Sequence, residues 1–382
     1  MTVAPLLEGR RICICCGSGG VGKTTTSAAI ALGMAAGGAK VAVVTIDPAR
    51  RLANALGMRQ LDNEPRRVSA SRLEAGGARV QGELWAMMLD PKRTFDELID
   101  RVASDPDRAR EIKANRIYRE LSTAVSGSQE FTAVAKLHEL AHEGRFDLLV
   151  LDTPPSRNAI DFLDAPGRLT AFLEGRALRA LARPSGLGLR MLGLGAAPLL
   201  GALRRVTGVD LVGDMSTFFG LLSGMTDEFS ARAAAVDRLL RDEATAFLLV
   251  CSAQEESIDE AIWFSRTLES NAMPFAGAIV NRVHEEPRGR GWEREAAPWL
   301  ESELGADLAA RVAATLADHR RLARRDAQSL ARLRAELAGR PLLAVPHLDG
   351  DVHDIAGLAR VAEQLFSARR RPRPSPPAGV GA

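Results

Sequence analysis

The stretch CCGSGGVGKTTTS, residues 15–27, carries the residues best suited to chemistry. Gly17, four residues, then Gly22-Lys23-Thr24 follows the G-x-x-x-x-G-K-[ST] spacing. Glycines at these positions let the backbone N–H groups of Gly19, Gly20, Val21 and Gly22 turn inward around phosphate oxygens. A helix starting at the lysine adds its partial positive charge. Lys23 is expected to reach the β- and γ-phosphates, and the Thr24 hydroxyl to ligate Mg²⁺. The flanks supply the context that this chemistry needs. RRICICC before the loop is short, apolar and β-prone, and TTTSAAIALGMAA after it is small, alanine-rich and helical.

Two carboxylates complete the candidate set. FDLLVLDTPPS places Asp152 at the end of an apolar strand, the position from which a carboxylate reaches Mg²⁺ through a water or the Thr24 hydroxyl. Asp147 opens the same strand and therefore lies at the wrong edge. VAVVTIDPARRLANALG places Asp47 after another strand. Asp47 either polarises an attacking water or caps the following helix, with Pro48 in its first turn, and the two roles are compatible with different nucleotide states.

These side chains need a scaffold that brings them to one edge. Apolar runs at 11–16, 40–46, 84–89, 147–151, 246–251, 276–280 and 341–345 alternate with helical stretches. That alternation predicts an α/β fold, a mostly parallel sheet covered by helices on both faces. Such sheets bind ligands beyond the carboxyl ends of their strands. The loop, Asp47, Asp152, Asn281 and Pro346 all fall there. Two segments, about 92–144 and 159–242, interrupt the alternation and read as a helical subdomain. Residues 368–382 are basic, then rich in proline and glycine, and read as a disordered tail.

Composition narrows the class. The chain has 382 residues, 46% hydrophobic and 26% charged, as a soluble protein with a large core requires. A net charge of +2 advertises neither nucleic acid nor membrane as a partner. The four cysteines, Cys13, Cys15, Cys16 and Cys251, form no C-x-x-C pair and fall in predicted strands, so buried reduced thiols are expected. MTVAPLLEGRR lacks the pattern of a signal peptide, and the most apolar stretch, 186–203, is broken by Arg190, Pro198 and glycines. A cytoplasmic protein, or one peripheral to a membrane, is expected.

GSGGVGKTTTS, TIDPARRLANALG, FDLLVLDTPPSRNAIDFL, AIVNRV and LLAVPHLDGDVHDIAGL occur in the order found in the ArsA family of P-loop ATPases, and the resemblance runs from about residue 10 to 367. It implies one P-loop ATPase domain over 1–367, with ATP and Mg²⁺ as ligands. By position, Lys23, Thr24 and Thr25 resemble the phosphate and Mg²⁺ contacts. Asp47 resembles the aspartate that orients the hydrolytic water, and Asp152 the one linked to Mg²⁺. Asn281 resembles the asparagine that reads the adenine edge, and Pro346 lies in the segment lining the adenine. Segment 159–242 corresponds to the part that forms an apolar groove for a client helix in the targeting branch. Met191, Met215, Met225, Phe218, Phe219 and the 186–203 stretch are its candidate lining.

Departures from the family pattern carry expectations too. Ser18 stands where the family carries a lysine that crosses a dimer interface to the partner's nucleotide. Arg157 and Asn158 replace a Gly and a His, and neither the zinc-binding C-x-x-C nor the metalloid-binding cysteines have counterparts. Three readings of Ser18 follow: pairing with a paralogous ATPase that keeps the lysine, replacement of the charge by Arg50, Arg51 or Arg157 in a homodimer, or a slow nucleotide switch. The work driven is handling of a hydrophobic or membrane-protein client, or energising an anion transporter, or regulation alone.

Overall fold

The structure, a computed structural model, describes residues 2–47, 50–116, 118–119, 128–154, 217–218, 220–221, 225–286 and 292–367. Pro48, Arg157, Asn158, Met191, Met215, Phe219, the 186–203 stretch and the 368–382 tail lie outside the described residues.

The apolar runs become β1 (Ile12–Cys16), β2 (Lys40–Thr45), β4 (Glu83–Met88), β5 (Leu148–Asp152), β6 (Thr245–Ser252), β7 (Phe275–Val283) and β8 (Leu342–Pro346). A two-residue strand, β3 (Arg66–Arg67), was not expected from the sequence. The described strands form one sheet in the order β3-β4-β2-β5-β1-β6-β7-β8. Every neighbouring pair is parallel except the antiparallel β3–β4 pair at the edge. The fold is thus the α/β architecture of P-loop NTPases.

Residues alternate between the two faces of a strand, and both faces of β1 are covered. Ile12, Ile14 and Cys16 join a core built with the helices Ser128–Glu143, Thr226–Arg241 and Glu255–Ser270. Cys13 and Cys15 join the opposite core, with the helices Lys23–Ala36 and Ile355–Phe366. A strand buried on both sides has no polar face, which is why β1, β5 and β6 read as continuous apolar runs rather than alternating ones.

Between β4 and β5 lie the helices Pro91–Val102 and Pro106–Ala114 as well as Ser128–Glu143. Asp90 and Asp105 start the first two, accepting from Arg93 N at 3.0 Å and Arg108 N at 2.8 Å, with proline in the first turn. Phe218 and Met225, offered above as client-groove lining, are buried in the first core instead. Large apolar side chains pack inward unless something keeps them out. The four cysteines are buried and reduced, as expected.

Candidate functional site

The loop leaves β1 at Gly17 and enters the helix at Lys23. Gly17 has φ +143°, and a Cβ there would lie 2.0 Å from the Val250 carbonyl oxygen of β6. Gly22 has φ +94°, and its Cβ would lie 2.2 Å from Asn281 Nδ2. Both positions therefore exclude a side chain twice over, by backbone sign and by space. Asn281 Nδ2 donates to Val21 O at 2.9 Å, so the last strand end before the long C-terminal helix holds the loop shut.

Lys23 is buried and its Nζ donates to the Ser18 carbonyl at 2.7 Å. Burial lowers its pKa, while Asp152 and Asp47 favour the charged form. The Thr24 hydroxyl donates to Asp152 Oδ2 at 2.7 Å, and the Thr45 hydroxyl donates to the same oxygen at 2.8 Å. Asp152 is 1% exposed, and its other oxygen, Oδ1, is buried without a hydrogen-bond partner. Burial raises its pKa to about 6 against the pull of the two hydroxyls. Asp147, at the opposite end of β5, accepts from Lys40 N at 2.7 Å and takes no part.

Asp47 is half-buried. Its N–H donates to the Thr45 hydroxyl oxygen at 3.2 Å, and Arg51 Nε lies 3.9 Å from its carboxylate. The following helix begins at Arg51, with Arg50 as its N-cap residue in a left-handed conformation (φ 54°) and no cap bond from the Arg50 side chain. Thr45 thus ties Asp47 and Asp152 together. Reading the sequence missed it; the only trace is a hydroxyl ending the otherwise apolar KVAVVT run.

Thr25, Asn281 and Pro346 come together in one open cleft of about 1130 Å³, walled on its far side by Thr315, Asp318 and His319 of the helix Ala306–Glu336. Gly19, Gly20 and Val21 line an adjoining cavity of about 560 Å³ with Ser18. The Ser18 hydroxyl sits 3.4 Å from the Ser257 hydroxyl, which itself accepts from Ser252 N at 3.0 Å. Position 18 therefore faces its own chain's β6–helix turn, a contact no local pattern announces.

A loop that presents N–H groups, a buried lysine and an orphan carboxylate beside a roomy open cleft is built for a nucleoside polyphosphate. Comparison with known proteins agrees. Residues 10–294 match the family model described as anion-transporting ATPase. The chain is 26% identical over 273 residues to "ATPase get3" of Schizosaccharomyces japonicus, covering 71% of this chain and 74% of that protein. It is 26% identical over 281 residues to "ATPase GET3" of Kluyveromyces lactis, covering 70% of each. It is 24% identical over 301 residues to the "Arsenical pump-driving ATPase" of Acidiphilium multivorum, covering 77% of this chain but 43% of that protein. The chain belongs to the ArsA ATPase family and is an ATPase.

Proposed function

We propose that this ATPase is Mg²⁺-dependent, works as a dimer, and couples ATP-driven closure to handling of a hydrophobic or membrane-protein client in the cytoplasm or at a membrane surface. The observation that carries the nucleotide chemistry is the Thr24–Asp152–Thr45 assembly beside Lys23, with Asp152 Oδ1 buried and unpartnered. An orphan carboxylate oxygen next to a P-loop hydroxyl is the donor set that suits a hard divalent cation. Mg²⁺ would be held by Thr24 and Asp152, and when bound it supplies charge neutralisation on the phosphates.

The protein's own groups do the rest. Lys23 leaves the Ser18 carbonyl for the phosphate chain, where an anion compensates the burial that now lowers its pKa. The loop N–H groups from Gly19 to Thr25 surround phosphate oxygens. Asn281 and Pro346 take the base. Asp47, positioned through Thr45, accepts a hydrogen bond from the water that attacks the γ-phosphate.

For assembly, the support is local. Trp263 is 46% exposed and shares a small cavity with Gly17 and Ser18. An exposed aromatic beside the loop suits a protein interface. Ser18 offers a neutral hydroxyl where the family resemblance implies a lysine reaching across that interface, and we propose that a paralogous ATPase in a heterodimer supplies the charge. The second reading is a homodimer in which Arg50, which is exposed, or Arg51 supplies it. The steady-state ATPase rate of the chain alone, followed against its concentration, separates them. A flat, near-background specific rate from protein that binds ATP supports the heterodimer. A specific rate that climbs with concentration sinks it.

The named relatives divide between get3-type ATPases and an arsenical pump ATPase. All four cysteines are buried, so none is available as a metalloid ligand as the chain stands, which favours client handling over arsenite transport. Among the described residues, no helix is long and apolar enough to cross a membrane. Dye-detected apolar surface that appears with ATP would support client handling; co-purification with an integral membrane channel, without such surface, would replace it with transport.

A further inference from the structure

We infer that Arg282 is a phosphate-binding residue of the nucleotide site, reaching the chain's own nucleotide from the end of β7. This rests on the nucleotide reading of the loop and cleft above.

Four observations converge. Arg282 lines both the open cleft and the cavity bordered by Ser18, Gly19, Gly20 and Val21, so it stands in the wall between them. Among the described residues, only His284 and His347 share that place. A nucleotide whose base lies by Asn281 and whose phosphates lie in the loop must pass this wall.

Second, Arg282 has φ +58°, a left-handed conformation that an arginine adopts at a cost. It sits where the β7–β8 register breaks between Val280 and Val283. The turn lets Arg282 N donate to Asn281 Oδ1 at 3.0 Å while Asn281 Nδ2 holds the loop. It also takes the Arg282 side chain out of the strand's alternation.

Third, the Arg282 side chain is exposed and, among the described residues, makes no ion pair. Acidic groups are near: Glu256, Glu260 and Asp326 line one cavity, and Glu285, Asp318, Asp349 and Asp351 the other. None engages it. The other arginine of the smaller cavity, Arg325, is held by Asp326 at 3.1 Å, and Asp326 is 1% exposed and also bonded to His284 Nδ1 at 2.8 Å. Arg325 is committed and Arg282 is available.

Fourth, the position opposite is short of charge. The Ser18 hydroxyl is turned to Ser257. Among the described residues, Arg282 and the committed Arg325 are the arginines or lysines lining that cavity, and Lys23 reaches the loop from inside, on the Ser18 carbonyl.

The test compares Arg282→Asn with Arg282→Lys. Asparagine tolerates φ > 0 and removes the charge; lysine keeps the charge and the backbone cost. Binding of ATP, ADP and adenosine to the full chain is measured at two ionic strengths. Arg282→Asn is expected to weaken ATP and ADP by about tenfold or more, leave adenosine unchanged, and flatten the salt dependence. Arg282→Lys is expected to retain most of the affinity. Equal losses for adenosine and ATP overturn the assignment, since that pattern marks a structural role through Asn281. Unchanged ATP binding by Arg282→Asn overturns it as well. Wild-type protein that binds no ATP overturns the nucleotide reading along with it, so the two failures are told apart by the wild type.

Discussion

Asp152 is held ionised against its surroundings, and replacing it tests that statement directly. Its pKa is raised to about 6 by burial, from an ordinary aspartate value near 4. The native state therefore binds this proton more tightly than the unfolded chain does. Stability from the protonated form is fully present below the unfolded pKa and is lost as pH rises through about 6. A shift of about two units corresponds to about 3 kcal/mol of stability forgone at neutral pH. Asp152→Asn removes the charge and keeps an oxygen to accept from Thr24 and Thr45. Its amide N–H groups find no acceptor where Oδ1 now sits, which returns about 1–2 kcal/mol of the gain. The nucleotide-free variant is thus expected to be about 1–2 kcal/mol more stable than wild type at pH 7.5, seen as a melting point a few degrees higher. The gap should close as pH falls towards 4. Added Mg²⁺ and ADP should then stabilise wild type and not the variant. A wild type more stable than Asp152→Asn at pH 7.5 without Mg²⁺, or a gap that ignores pH, would refute the reasoning.

Three further outcomes follow from the geometry. Gly22→Ala places a Cβ 2.2 Å from Asn281 Nδ2 at φ +94°, and should weaken ATP and adenosine together by about tenfold or more, read by calorimetry, since it breaks the Asn281–Val21 tie. Asp47→Asn should leave ATP binding near wild type and lower the turnover of the competent dimer by about 10²–10³-fold, in line with loss of a water-orienting base; single-turnover kinetics check it. The thiols should resist thiol reagents until the protein unfolds. Burial raises Cys16 and takes Cys251 to about 12, and Cys13 is raised by its contact with Cys15 Sγ and then by burial, so fast labelling of the native chain would contradict the two-sided burial of β1.

The parts of the site that local chemistry dictates could be read from sequence alone. Glycine spacing, a lysine at a helix start and an aspartate at the end of an apolar run each have a physical cause within a few residues, and Gly22, Lys23 and Asp152 stand where those causes put them. Strand ends were read short where sequence offers no stop: β7 continues past Asn281 to Val283 through its irregular register, so Asn281 lies within a strand rather than after it. β3 was invisible because Arg66 and Arg67 are exposed and charged, and only pairing with β4 makes them a strand. The Ser18–Ser257 contact, the Thr45 bridge and the place of Arg282 depend on groups brought together from distant parts of the chain. Phe218 and Met225 show the converse, apolar residues suited to a groove that are buried in the core instead.

The way β1 is embedded has a consequence for how the protein is made. Its neighbours β5 and β6 come from far downstream, and Cys16 Sγ reaches Leu248 O across a separation of 232 residues. Asn281 closes on Val21 across 260. A ribosome adding about 5–20 residues per second leaves the glycine loop exposed for some 10–50 s before its clasp emerges. For the earlier part of that interval, until β5 and then β6 are made, an apolar strand meant for the centre of a sheet has no partners on either side. The newborn chain therefore carries an apolar strand in need of shelter, and the clasp that closes the glycine loop arrives only after both of that strand's partners.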